Sequence, residues 1–186
     1  MTTFRGFIAV DVEAFAQLEA FEQAIRTTGA NVKLVEPHNV HITLKFLGDT
    51  QESHIDDIEQ IMEKAVAEVT PFDLRLIGSG VFPNEHYIKV IWIGIESGEP
   101  LGQIAQHLDD GLARLGYNKE RRGFSPHLTI GRVKTAREKE QLLEVIATYR
   151  NTEFATIPVR SIKLMKSDLT PKGPIYTLVR EVPIPK

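Results

Sequence analysis

The chain contains no cysteine. That removes disulfides, zinc–thiolate centres and thiol nucleophiles together, and it makes an intracellular, cytoplasmic setting the expectation. Nor is there a long hydrophobic run: nothing approaches the ~20 consecutive apolar residues that span a bilayer. The apolar opening FRGFIAV is short and is cut by Asp11 and Glu13, unlike the hydrophobic region of a signal sequence. Positive charge is not in excess either, with 22 Lys and Arg against 25 Asp and Glu, a formal net charge of −3 and a pI near 6.1. A broadly basic surface that grips duplex nucleic acid through many phosphates is thereby excluded, and any nucleic-acid contact must be local. No block of low complexity argues for a disordered tail or linker. What remains is 186 residues, 42% of them hydrophobic, enough for a sizeable core in one domain or two small fused lobes.

Apolar spacing gives the order of elements. Residues 4 to 10 read as a strand, and Phe15, Leu18, Phe21, Ala24 and Ile25 recur at helical intervals up to Thr28-Gly29. VHITLKFLG alternates His41, Thr43 and Lys45 with Val40, Ile42, Leu44 and Phe46, the pattern of a half-buried strand. A second amphipathic helix runs from Ile55 to Val69 and ends at Pro71, before a strand around FDLRLIG. The order then repeats with YIKVIWIGI, a helix from Leu101 to Leu115, HLTIGRV, a helix over 137–149, and strands around VRSIKLMKS and IYTLVREV. This predicts an α+β fold, a single bilobal domain over 1–186 made of duplicated βαβαβ units, roughly 1–85 and 86–186. Antiparallel-rich sheets flank a central groove in this reading, with helices outside.

Each unit carries the same tetrad at the same place, His41-Ile42-Thr43-Leu44 and His127-Leu128-Thr129-Ile130. Strand alternation sends His and Thr to one face and the aliphatics to the other. One such tetrad has an ordinary explanation, since Thr is common in strands and a lone His on a half-buried strand is usually a hydrogen-bonded neighbour. Two copies in corresponding positions of a repeat point to function. Two imidazoles that flank a phosphorus can supply a base for water and an acid for the leaving alkoxide, because a pKa near 6.5 lets one be neutral and the other charged. Threonine hydroxyls can donate to the non-bridging oxygens and hold phosphorus in line. The scheme calls for no metal and no cofactor.

Paired HITL and HLTI segments in a chain of this size resemble the two-histidine (2H) phosphoesterase superfamily, and more narrowly its RNA 2',3'-cyclic phosphodiesterase branch, also called 2'-5' RNA ligases. The likeness extends from FRGFIAVD through VEPHNVHITLKFLGD, GVFPNEHYIKVIWIGI and FSPHLTIGRVK to LMKSDLTPKGPIYTLV. It implies a bilobal fold and a substrate RNA ending in a 2',3'-cyclic phosphate, tRNA fragments among the candidates. The product would be a 2'-phosphomonoester with the 3'-hydroxyl as leaving group, and reversible 2'-5' joining of RNA pieces is associated with the family. By position, the resemblance makes His41 the general acid and His127 the general base, with Thr43, Thr129 and Arg132 on the phosphate; a monomer is the expected state. Strict alternation from His127 sends Arg132 to the wrong face, so it reaches the groove only if Gly131 permits a bulge or the strand ends there.

Other residues carry two readings each. Lys45 shares the face of His41 and could meet a phosphate, or be a solvated strand-end lysine. Lys119, Arg121 and Arg122 could grip an RNA backbone or simply be a charged loop. Phe124 and Tyr87 could stack bases or pack in the core. His38 has no carboxylate or thiol partner at ligand spacing, which leaves a zinc site weak; His54, His86 and His107 look like ordinary surface residues. The segment SDLTPKGPIY reads as a turn with Pro171, Gly173 and Pro174, and the resemblance implies that it could border the groove through Ser167 or Lys172. Two alternatives to the RNA enzyme remain at this point: the same chemistry on a small cyclic nucleotide, and an RNA-end-binding module without turnover.

Overall fold

The computed structural model describes residues 2–186. Four α-helices and nine strands run in the order β1 (Thr3–Asp11), α1 (Ala16–Thr27), β2 (Val32–Leu34), β3 (His41–Gln51), α2 (Ile55–Val66), β4 (Phe72–Pro83), β5 (Ile88–Glu96), α3 (Glu99–Ala113), β6 (His127–Val133), α4 (Lys139–Thr148), β7 (Glu153–Val159), β8 (Ser161–Thr170) and β9 (Gly173–Pro183). The strands form two sheets, β3-β1-β8-β9 and β2-β6-β5-β4-β7, and every ladder in them is antiparallel. The mixed α+β architecture, with antiparallel sheets and outer helices, is the one that apolar spacing predicts.

Each helix forms because its apolar residues make one stripe. In α2, Ile58, Met62, Ala65 and Val66 are buried; in α3, Leu101, Ile104, Ala105, Leu108 and Leu112 are. These two helices pack on each other and cover the four-stranded sheet through β9 and β3. The five-stranded sheet is backed by α1 and α4, where Phe21 lies against Tyr149 and Phe154 with ring centroids 4.7 and 5.4 Å away. Burying each such side chain stabilises the fold by ~1.5–3 kcal/mol. The helices therefore cross over: α1 comes after a strand of the first sheet and covers the second, and α3 does the reverse. That exchange ties the two sheets into one body and leaves their uncovered faces toward each other, where β3 approaches β6.

Three strands differ from the sequence expectation, the first being β2, a three-residue strand on the edge of its sheet where no strand is expected. The segment Glu153–Val159 is a separate strand, β7, that ends before Ser161 begins β8. Pro158 masks it, yet β7 is the edge of its sheet, where a residue without an N–H costs no ladder bond. Strand β4 continues past FDLRLIG to Pro83, through an irregularity between Leu76 and Ser79. Among the described residues no helix is long and apolar enough to cross a membrane.

Candidate active site

Strands β3 and β6 carry the two tetrads, and each is interrupted at the tetrad's last residue. Against β1, Thr43 pairs with Ala9 and Lys45 with Ile8, so Leu44 is the extra residue of a bulge. Against β5, Thr129 pairs with Trp92 and Gly131 with Ile91, so Ile130 is the extra residue. Each bulge reverses the alternation beyond it. Arg132 thus returns to the face of His127 and Thr129, and Phe46 to that of His41 and Thr43, while Lys45 and Gly131 turn inward. A Cβ on residue 131 would stand 2.9 Å from Val32 Cγ1 on the neighbouring strand, closer than packing allows, so glycine suits this inward position.

The histidines are held alike. His41 Nδ1 lies 2.7 Å from the Asn39 carbonyl oxygen, and His127 Nδ1 lies 2.8 Å from that of Ser125. A carbonyl only accepts, so in each ring Nδ1 carries the proton and Nε2 is left for chemistry. His41 Nε2 is 3.0 Å from Thr43 Oγ1, whose hydroxyl donates to it when the ring is neutral. Aromatic neighbours fix the planes: Phe7 and Tyr176 lie 4.9 and 5.3 Å from the His41 ring, and Phe82 stands edge-on to His127 at 5.1 Å. Burial lowers the pKa of His41 from its ordinary value; the bond to the Asn39 carbonyl and the charge of Asp11, its ladder partner, act in the opposite direction.

These groups open into a cavity of about 400 Å³ that is lined by His41, Thr43, His127, Thr129 and Arg132 together. Arg5, Lys33, Lys134 and Lys172 add positive charge around it, against one carboxylate, Glu36. In a protein of net negative charge this concentrates the cationic field where an anion would bind. Ser167 and Lys172 border the cavity from the β8–β9 hairpin, as does Tyr176, which sequence reasoning passed over although it pairs with Ser167 across that hairpin. Burial raises the Tyr176 pKa, with the charges of Arg132 and Arg5 opposing.

Other candidates lie elsewhere. Lys45 is buried at 4% exposure and bonds to Asp109 and the Asn118 carbonyl oxygen, so it is neither a phosphate ligand nor a solvated lysine. Lys119, Arg121 and Arg122 line a neighbouring cavity that meets the first at Phe46. Phe124 packs on the core, and Tyr87 is exposed beneath Lys89. Among the described residues no group of three or more His, Asp or Glu stands as metal ligands would.

A family model described as the 2'-5' RNA ligase superfamily matches residues 10–171. The chain belongs to that superfamily. Among relatives of this superfamily member, the RNA 2',3'-cyclic phosphodiesterase of Methanothermobacter thermautotrophicus is 38% identical over 175 residues, covering 93% of this chain and 95% of the relative. The protein of the same name from Methanocaldococcus jannaschii is 38% identical over 179 residues, 95% and 99% of the two chains. Of solved structures, TT0787 of Thermus thermophilus superposes with a TM-score of 0.74 at 27% identity, covering 97% of each chain. E. coli LigT complexed with 3'-AMP does so at 0.77 and 22% identity over the whole of both chains, a likeness of fold.

Proposed function

We propose that the protein opens the 2',3'-cyclic phosphate at an RNA end to a 2'-phosphomonoester by metal-independent acid–base catalysis. What supports this most directly is one feature: two imidazoles in one cavity, both locked through Nδ1 to a backbone carbonyl, beside paired threonines and a set of cations. His127 takes a proton from water, the water oxygen attacks phosphorus, the bond from phosphorus to O3' breaks, and His41 delivers its proton to O3'. The hydroxyls of Thr43 and Thr129 and the Arg132 guanidinium bind the non-bridging oxygens, whose charge grows in the transition state. One chain supplies every group, so the monomer is competent; tRNA fragments with cyclic ends are among the RNAs it would accept. The names of its relatives support the reaction class. A 5'-hydroxyl in place of water would give a 2'-5' linkage by the same steps, with water at ~55 M keeping hydrolysis ahead unless the site excludes it.

The test is to incubate the protein with a short RNA bearing a 2',3'-cyclic phosphate in excess EDTA and identify the terminus. A 2'-phosphate is the expected product; a 3'-phosphate, or turnover abolished by the chelator, would sink the scheme.

The pH profile tests the part that His41 plays. Burial lowers the His41 pKa, so one limb of the bell-shaped kcat/KM profile, which reports the free enzyme, is set by this ring and lies below the ordinary histidine value of ~6.5. A bound phosphate anion raises that pKa, so the corresponding limb of kcat stands at higher pH. Asp11→Asn removes a charge that favours the imidazolium, and it should move that limb of kcat/KM further down. A profile with both limbs unmoved would remove His41 from the titration.

A further inference from the structure

The cavity holds more positive charge than one phosphate needs. Arg5, Lys33, Arg132, Lys134 and Lys172 line it, against the single carboxylate of Glu36. Among the described residues none of these five side chains forms an ion pair or donates a hydrogen bond, whereas Arg75 and Arg160, also exposed, hold carboxylates at 2.6 and 3.2 Å. Like charges gathered in this way repel, and anions among them relieve the repulsion. A cyclic phosphodiester brings one negative charge. Arg132 shares its face with Thr129, the hydroxyl assigned to that phosphate. Lys33 is the ladder partner of Arg132 on β2, so the two side chains leave the same face. Lys134 follows Arg132 by two residues, or ~6.6 Å at the rise of a strand, and its N–H donates to the Asn31 carbonyl at 2.8 Å, which carries the ladder that far. Lys172 arrives from the other sheet, at the tip of the β8–β9 hairpin. A Cβ on its neighbour Gly173 would lie 3.6 Å from Lys33 Nζ, so the hairpin tip and β2 close on each other there. Asn39, whose carbonyl holds His41, donates its side-chain amide to the Pro174 carbonyl at 2.9 Å and so fixes the hairpin beside the histidine. Three lysines from both sheets thus gather one step beyond Arg132, about the span between neighbouring phosphates of an RNA chain.

We propose that Lys33, Lys134 and Lys172 form a second anion subsite, which takes the phosphate on O5' of the nucleotide whose 2',3'-cyclic phosphate is opened. This rests on the reading of the cavity as a cyclic phosphodiesterase site, and it adds a selection: an end that carries a phosphate on O5' over a lone cyclic nucleoside phosphate. The group recognised is a pair of phosphate oxygens, in a terminal monoester or in the diester that joins the next nucleotide, and the diester is what an RNA end presents at this position. Ammonium groups act as point charges with rotatable donors and read no base, so the selection is for a chain and not for a sequence.

The experiment compares kcat/KM on three substrates: adenosine 2',3'-cyclic phosphate, the same molecule phosphorylated on O5', and the dinucleotide ApA with a 2',3'-cyclic end. It uses the full chain as wild type, as the triple variant Lys33→Gln, Lys134→Gln, Lys172→Gln, and as Lys64→Gln, which removes a charge from the outer helix α2. Each exposed ion pair contributes up to a few-fold, so wild type should prefer both phosphorylated substrates roughly tenfold over the nucleoside cyclic phosphate. The triple variant should bring that preference close to one, and Lys64→Gln should keep it. The preference is a ratio measured within one protein, so a partly unfolded preparation does not alter it. A gain from the dinucleotide alone would assign the effect to the second nucleoside and overturn the subsite, as would a preference that the triple variant retains or that Lys64→Gln also loses. Each of those results, with the substrates turned over, leaves the phosphodiesterase reading standing. Turnover of none of the three by wild type overturns that reading on these probes, and the subsite with it.

Discussion

Replacing either His41 or His127 with alanine is expected to lower kcat/KM on a cyclic-ended RNA by ~10²–10⁴-fold, and replacing both to lower it little further. In-line displacement needs a proton removed on one side of phosphorus and one delivered on the other in the same event, so losing either partner forfeits most of what the pair achieves. The geometry allows a cleaner substitution as well. His127→Asn keeps an N–H that can donate to the Ser125 carbonyl, as the imidazole Nδ1 does at 2.8 Å, but offers nothing that titrates near neutral pH. It should lose as much activity as the alanine variant and melt within a few degrees of wild type. His41→Ala also removes the ring packed against Phe7 and Tyr176, so its melting temperature should fall more. Single-turnover kinetics on the purified variants would check this. A loss under tenfold at either position would remove that histidine from proton transfer, and losses that multiply would mean that the two act independently.

The tetrads, the helices and most strands were legible because each depends on a periodicity the chain displays directly: a helix must show its core a stripe, and a half-buried strand must alternate. The residues just beyond each tetrad were not legible. Alternation continued past Thr43 assigns Lys45 to the groove and Phe46 to the core; the structure reverses both. It likewise expels Arg132, which lines the cavity. One cause underlies all three, the bulges at Leu44 and Ile130, and these are fixed by pairing with β1 and β5, strands remote in sequence. Gly131 was the single local hint, and it proved to be the inward residue after the bulge. Tyr176 escaped for a different reason: it reaches His41 only because β9 joins a sheet built from both ends of the chain.

Lys45 supplies the second large effect, on stability. Its ammonium lies 2.5 Å from an Asp109 carboxylate oxygen and 2.7 Å from the Asn118 carbonyl, with lysine and aspartate side chains only 4% and 14% exposed. Lys45→Ala leaves that carboxylate with the Glu120 N–H at 3.0 Å and little water, so breaking the pair should cost ~3–5 kcal/mol. For a chain of this size that corresponds to a fall in Tm of roughly 10 °C or more, measurable by thermal melting. The pair joins β3, immediately after Thr43, to α3 and to the segment that leads toward His127. Lys45→Met combined with Asp109→Leu removes both charges at similar volume, and it should recover most of the lost stability because no ion is left buried alone. The same double variant separates a structural lysine from a phosphate ligand. Since the bulge at Leu44 directs Lys45 away from the cavity, the refolded pair should retain kcat/KM within a few-fold of wild type. A hundredfold loss with Tm restored would place the Lys45 ammonium on the phosphate after all, and would mean that substrate draws β3 into regular alternation.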